Sequence, residues 1–240
     1  DEEELLREIK TILDESLKAL EELIRKIMRI LDKSLKDLEE IVREIKKTID
    51  ELLEKVRRSG LPEEVLKKVK RVAEKVKEDI DRLLEDVERS HREVKKKLDE
   101  LLKEVKRSHE EVKKELDSLR RDSDRDTVAR EILRVLKKNL DVLREVVEKI
   151  VKVLEDNLKS LKRVLETLVD LLRKLIKVLR EAGLREEALD DLRRLVKELK
   201  DKLRKLLKDY KDLLKELKDE AKKLLDDYRR LIEELEKKAR

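Results

Sequence analysis

The sequence lacks several residue types on which common folds and catalytic sites depend. Cysteine, phenylalanine, tryptophan and glutamine are absent from the 240 residues, which include two glycines, one proline and two tyrosines. Without cysteine, the fold cannot depend on disulfide bonds, so it is indifferent to the redox state of its compartment. No apolar run approaches the roughly 20 residues that span a bilayer, and the N-terminal DEEELL is acidic where a signal peptide is basic. We therefore expect a soluble protein without a targeting signal, cytoplasmic in an expression host.

Charge is abundant but evenly mixed. Charged residues make up 54% of the chain, with 67 basic and 62 acidic side chains and a net charge of +5. A nucleic-acid interface would cluster its lysines and arginines and would use aromatic platforms for stacking bases. Leucine, valine and isoleucine supply most of the apolar residues, a composition typical of long helices. We expect no nucleic-acid partner, and no membrane partner because the apolar stripes are needed for a core.

Helix-breaking residues cluster in three short segments. RRSGLPEE (57–64) and REAGLREE (180–187) each place a glycine where a helix can end in the left-handed conformation, and RRDSDRDT (120–127) groups short polar residues that can cap a helix. These turns predict helices over about 2–59, 62–121, 126–182 and 185–239, forming one domain over 1–240. Helices joined by such short turns run antiparallel to their neighbours.

An internal repeat of 18 residues runs through all four predicted helices. ILDESLKALEELIRKIMR is followed directly by ILDKSLKDLEEIVREIKK, and the other three helices contain comparable pairs. Eighteen residues in five turns is the natural period of a straight helix, whereas heptads impose a left-handed supercoil. The sequence therefore predicts an all-α, antiparallel, up-down-up-down four-helix bundle with long, nearly straight helices.

Each repeat carries one uncommon polar residue in its apolar stripe. Folding the chain at its three turns places these residues at two heights about 27 Å apart: a first layer of Ser16, His109, Asn139 and Tyr228, and a second layer of Ser34, His91, Asn157 and Tyr210. A third level holds only apolar residues, Leu52, Ala73, Leu175 and Leu192. The polar groups can donate and accept among themselves, so we predict two buried hydrogen-bond layers that specify helix register. Ser90 and Ser108, at the edge of the stripe, are candidates for outer members of these layers or simply boundary residues.

With these features, the chain resembles de novo designed helical bundles with buried hydrogen-bond networks. The features are the 18-residue repeats, the equal helices, the SGLPEE turn and the layered Ser, His, Asn and Tyr positions. The resemblance covers the whole chain. It implies a scaffold, a pairing module or a rigid building block, without catalysis. In that class two helical hairpins are often made as separate chains that pair through their networks, and the corresponding halves here would be about 1–122 and 126–240.

The residue types of the polar layers suggest three chemical alternatives to a structural role. Zinc takes about four ligands from cysteine, histidine and carboxylates, and each layer has one histidine, so we expect no metal, cofactor or small-molecule substrate. A hydrolytic dyad of Ser34 with His91, or Ser16 with His109, lacks an orienting acid at core positions and an oxyanion hole; we expect no enzyme. A pH switch stays open, because a buried neutral imidazole that must accept hydrogen bonds is destabilised when protonated near its ordinary pKa of about 6.5.

The third helix has a wider apolar stripe than its neighbours. It spans about 180° of the helical wheel, against about 120° for helices 2 and 4. The surplus is a flank, interrupted by Ser160, of Val135, Val142, Val153, Leu171 and Val178. The flank is either boundary packing or a self-association face, so a monomer and a homo-oligomer are both compatible with the sequence.

Overall fold

A computed structural model describes residues 2–119 and 125–239, with side chains described for 3–119 and 126–238. Four helices fill these ranges: α1 (Glu2–Arg57), α2 (Glu63–Leu119), α3 (Arg125–Glu181) and α4 (Glu186–Ala239). They contain 56, 57, 57 and 54 residues, and no strand occurs in the described ranges. The expected end of the second helix at 121 and the polar cap residues at 120–124 lie outside the described residues.

Neighbouring helices are antiparallel. Along each pair of neighbouring helices, the ion pairs match rising residue numbers on one helix with falling numbers on the other: Lys46–Asp81 and Asp50–Lys77 between α1 and α2, Lys26–Glu216 and Lys55–Asp191 between α1 and α4, and Lys137–Glu236 and Glu155–Lys218 between α3 and α4. The chain is therefore an all-α, antiparallel four-helix bundle, and the predicted fold class is confirmed.

Contacts divide the chain into two compact units, and every helix contributes to both. Unit 1 comprises Asp1–Arg29, Val94–Glu155 and Asp212–Arg240, and unit 2 comprises Ile30–Glu93 and Asp156–Lys211. The four residues of the first polar layer fall in unit 1, and those of the second layer fall in unit 2. The core of unit 2 draws on all four helices and includes the apolar level Leu52, Ala73, Leu175 and Leu192, all buried.

The turns of unit 2 define the two hairpins, α1–α2 and α3–α4. Gly60 and Gly183 adopt φ values of 75° and 92°, the left-handed region that costs other residues free energy. At the end of α3, the Leu184 amide donates to the Leu179 carbonyl at 3.2 Å and the Gly183 amide donates to Arg180 at 3.1 Å. This is the Schellman pattern, and it fixes where α3 stops and therefore which residues of α3 and α4 lie side by side.

Candidate functional site: two buried polar layers

The first layer lies within the core of unit 1. Ser16, His109, Asn139 and Tyr228 are all buried. Each occupies a position that the helical period turns towards the core; Asn139, for example, lies one turn from the buried Leu136 and Leu143. A polar side chain at such a position loses contact with water, so it needs a partner inside the protein.

The second layer is more open than the first, although the repeat makes the two equivalent in sequence. Tyr210 is buried, whereas Ser34, His91 and Asn157 are half-buried. Repetition in the sequence therefore does not produce identical surroundings for the two layers.

The same asparagine–tyrosine hydrogen bond occurs in both layers. The Asn139 Nδ2 donates to the Tyr228 hydroxyl at 3.0 Å, and the Asn157 Nδ2 donates to the Tyr210 hydroxyl at 2.9 Å. Each bond joins α3 to α4 inside one unit. Leaving a buried amide or phenol unpaired would cost about 1–3 kcal/mol. Each bond therefore favours the alignment of α3 and α4 in which it can form.

Burial determines the acidity of both phenols. It raises the pKa of Tyr210 and of Tyr228 to about 12, because the phenolate would lose its hydration. The asparagine amide favours the phenolate and lowers the same pKa, but by less than burial raises it. Both phenols are therefore neutral hydrogen-bond partners over the ordinary pH range.

Each histidine bonds to an aspartate of α1. His109 Nε2 lies 2.7 Å from Asp14 Oδ1, and His91 Nε2 lies 2.7 Å from Asp32 Oδ1. The imidazole side chains are 8% and 12% exposed, whereas the aspartates are 52% and 51% exposed. The imidazole N–H donates to a carboxylate that water also reaches, so each histidine marks the boundary between core and surface.

Sequence reasoning missed both aspartates. Asp14 and Asp32 are 18 residues apart and each precedes its layer serine by two positions. That repetition was an available signal, but charged residues beside the stripe are common in all four helices. Both aspartates lie outside the core, 52% and 51% exposed, so they do not supply the orienting acid at a core position that the sequence was expected to lack.

Asp14 also accepts a hydrogen bond from a lysine. The Lys113 Nζ lies 2.7 Å from the same Oδ1 atom. The Lys113 ammonium, with a smaller contribution from His109, holds the pKa of the Asp14 carboxyl below its ordinary value. Because Asp14 is half exposed, solvent screens this interaction and its contribution to stability is small.

The four serines of the layers behave differently from one another. Ser108 Oγ donates to Asn139 Oδ1 at 2.9 Å. Among the described side chains, no hydrogen bond joins Ser16, Ser34 or Ser90 to another residue of its layer. Among the described residues, the polar groups therefore connect as pairs or triplets between neighbouring helices, and the serine–histidine contact that a hydrolytic dyad requires is not formed.

The apolar flank of α3 is largely covered. Val135 is buried, and Val142, Val153, Leu171 and Val178 are half-buried. Leu171 packs against the core of unit 2, and no large hydrophobic side chain is exposed in the described part of the chain. Self-association through this flank stays a prediction.

The described residues contain no cluster of three or more histidine or acidic side chains arranged to hold a metal ion. None of their helices combines the length and apolar character of a bilayer-spanning segment.

The chain matches no protein-family model and no curated protein sequence.

Raising the pH should titrate the two tyrosines unusually late. We expect tyrosinate absorbance of the folded protein to rise with a midpoint near pH 12, against about 10 for the same chain in denaturant. The folded state favours the neutral phenol, so its contribution to stability is complete below about pH 10 and is lost between about 10 and 12. With no tryptophan present, the signal comes from these two residues. A midpoint near 10 while circular dichroism still reports a folded helix would contradict the buried assignment.

Proposed function

We propose that the chain is a structural scaffold or assembly module of the designed helical-bundle type, in which buried polar contacts specify helix register. The observation that carries this proposal is the asparagine–tyrosine bond repeated in both units, at 3.0 and 2.9 Å. An aliphatic pair at the same positions would pack without the cost of burying polar groups. Polar pairs retained at a core position therefore suit a role in specificity more than a role in stability.

The 18-residue repeat makes alternative helix registers similar in their apolar packing, so polar contacts are needed to distinguish them. Leucine, valine and isoleucine recur along every stripe, so a helix displaced by one turn would again place aliphatic side chains against aliphatic side chains. The displaced arrangement would, however, leave a carboxamide and a phenol without partners, at about 1–3 kcal/mol for each buried group. This penalty distinguishes the observed register from its neighbours.

The contacts of the histidines support a structural role over a catalytic one. Each imidazole donates from Nε2 to an aspartate, and among the described residues neither layer serine lies within hydrogen-bond distance of it. Activation of a serine nucleophile needs that contact. We propose that the chain has no enzymatic activity of its own.

The same bonds favour a scaffold over an acid-triggered switch. Nε2 already donates in the neutral ring, and a protonated ring keeps that donor and gains a charge-assisted bond to the carboxylate. Protonating His91 or His109 therefore preserves the observed contact. An acid switch would instead require a bond that the imidazolium cannot make.

Mild acid should leave the bundle folded. We expect far-ultraviolet circular dichroism to be unchanged from about pH 7.5 to 4.5, in the wild type and in a His91→Asn/His109→Asn variant. Asp14 has a lowered pKa, so its contribution is present above its unfolded pKa of about 4 and is lost as the pH falls through its lower folded value. Loss of helix near pH 5 to 6 in the wild type, absent from the double variant, would favour the switch.

Replacing the polar pairs with apolar residues should loosen the register of α3 and α4. In an Asn139→Leu/Tyr228→Phe/Asn157→Leu/Tyr210→Phe variant we expect the free energy of unfolding to be retained or raised. Nitroxide labels at Lys149→Cys and Lys222→Cys, both exposed in unit 1, should give one narrow distance distribution in the parent protein by pulsed electron spin resonance. The distribution should be broadened or multiple in the variant.

A matched control separates loss of polar contacts from repacking. Leu136→Met and Leu217→Met alter buried aliphatic residues of the same helices in unit 1 with little change in volume, and should keep the narrow distribution. An equally narrow, unshifted distribution in the apolar variant would show that the polar pairs do not specify register.

A further inference from the structure

The hydrogen bonds of the two polar layers can be sorted by the hairpins that they join. The histidine–aspartate bonds stay within the α1–α2 hairpin, and the asparagine–tyrosine bonds stay within the α3–α4 hairpin. The bond from Ser108 on α2 to Asn139 on α3 crosses from one hairpin to the other. In the described part of the chain, the polar contacts between hairpins also include exposed ion pairs between α1 and α4, such as Lys26–Glu216, Lys55–Asp191 and Lys202–Glu44, which solvent screens.

Ser108 and its neighbour His109 belong to two separate polar groups of unit 1. It is adjacent in sequence to His109, which bonds Asp14 of α1, and it donates to Asn139, which donates to Tyr228 of α4. Polar contacts therefore reach all four helices of unit 1 through two consecutive residues of α2. Because Ser108 occupies the Oδ1 atom of Asn139, the carboxamide presents Nδ2 to the phenol, and its orientation is set from both sides.

Ser90 is the repeat counterpart of Ser108 but makes no equivalent contact. It is half-buried, and in the described part of unit 2 no hydrogen bond joins it to Asn157. The sequence offers a cause. Val142, Ser108 and Asn139 line one groove between α2 and α3, and the residue 18 positions after Val142 is the exposed Ser160. A short polar side chain there leaves the half-buried Asn157 more open to water.

We infer that Ser108 specifies how the α1–α2 hairpin pairs with the α3–α4 hairpin, and that Ser90 has no such role. This positioning role rests on the proposed function of the polar layers. The two layers, which look equivalent in sequence, would then have different roles. The layer in unit 1 includes a hydrogen bond between the hairpins, whereas the hydrogen bonds of the layer in unit 2 stay within each hairpin.

The asparagine side chains offer a direct test in the full-length protein. Asn139 and Asn157 are the only asparagines and there is no glutamine, so a nitrogen-15 spectrum contains two side-chain amide pairs. Ser108→Ala should shift the Asn139 pair and speed its exchange with solvent roughly fivefold, the factor for one lost hydrogen bond of about 1 kcal/mol. Ser90→Ala is the matched control and should leave the Asn157 pair unchanged, and Ser108→Thr, which keeps the hydroxyl, should restore the parent spectrum.

A distance measurement reports on hairpin pairing itself. Nitroxide labels at Lys103→Cys on α2 and Lys149→Cys on α3, both exposed in unit 1, should give a narrow distribution that broadens with Ser108→Ala and not with Ser90→Ala. The inference is overturned if Ser108→Ala leaves the Asn139 amide or this distribution unchanged, or if both alanine variants act alike. The test of the proposed function measures the distance between α3 and α4, whereas this test measures the distance between α2 and α3, so failure of this inference can be distinguished from failure of the proposed function.

Discussion

The hydrogen bond between the Asn139 carboxamide and the Tyr228 phenol joins α3 to α4 in unit 1, and the proposed specification of helix register depends on this contact. It joins residues far apart in the chain at 3.0 Å, and the Asn157–Tyr210 bond reproduces it in unit 2 at 2.9 Å. Aliphatic packing tolerates small displacements because its free energy follows buried area, whereas a buried amide loses its partner altogether. The hydrogen bond thus depends on the direction and distance between its two side chains, and packing among the leucine-rich stripes has no such requirement.

The polar groups are graded from the centre of each unit to its surface. The phenols are buried and neutral, the carboxamides donate to them, and the imidazoles lie at the boundary with Nε2 directed to half-exposed aspartates. Lys113 extends this series in unit 1 by bonding the same oxygen of Asp14 as His109 does. A histidine placed in this way can gain a proton without losing its partner.

Much of the fold followed from periodicity and turn chemistry. The 3.6-residue period gave the helices, the Gly60 and Gly183 turns gave their antiparallel order, and both glycines adopt the positive φ that such turns need. Counting outward from the turns also placed Asn139 beside Tyr228. The partners of the histidines could not be predicted from the sequence. Periodicity predicts the helix face on which a residue lies, but not the side-chain rotamer, and here the rotamer directs each imidazole ring towards a carboxylate at the edge of the apolar stripe. The difference between Ser108 and Ser90 did not follow either: the repeat makes the two serines equivalent, but Ser108 donates to Asn139, and the α3 neighbour is Val142 in one repeat and Ser160 in the other.

The most direct measurement is a nuclear Overhauser spectrum of the intact chain that relates the side-chain amide protons of its two asparagines to the ring protons of its two tyrosines. Register specified by the polar pairs predicts cross-peaks from Asn139 to Tyr228 and from Asn157 to Tyr210. Cross-peaks from Asn139 to Tyr210, or amide protons with no tyrosine ring nearby, would contradict it.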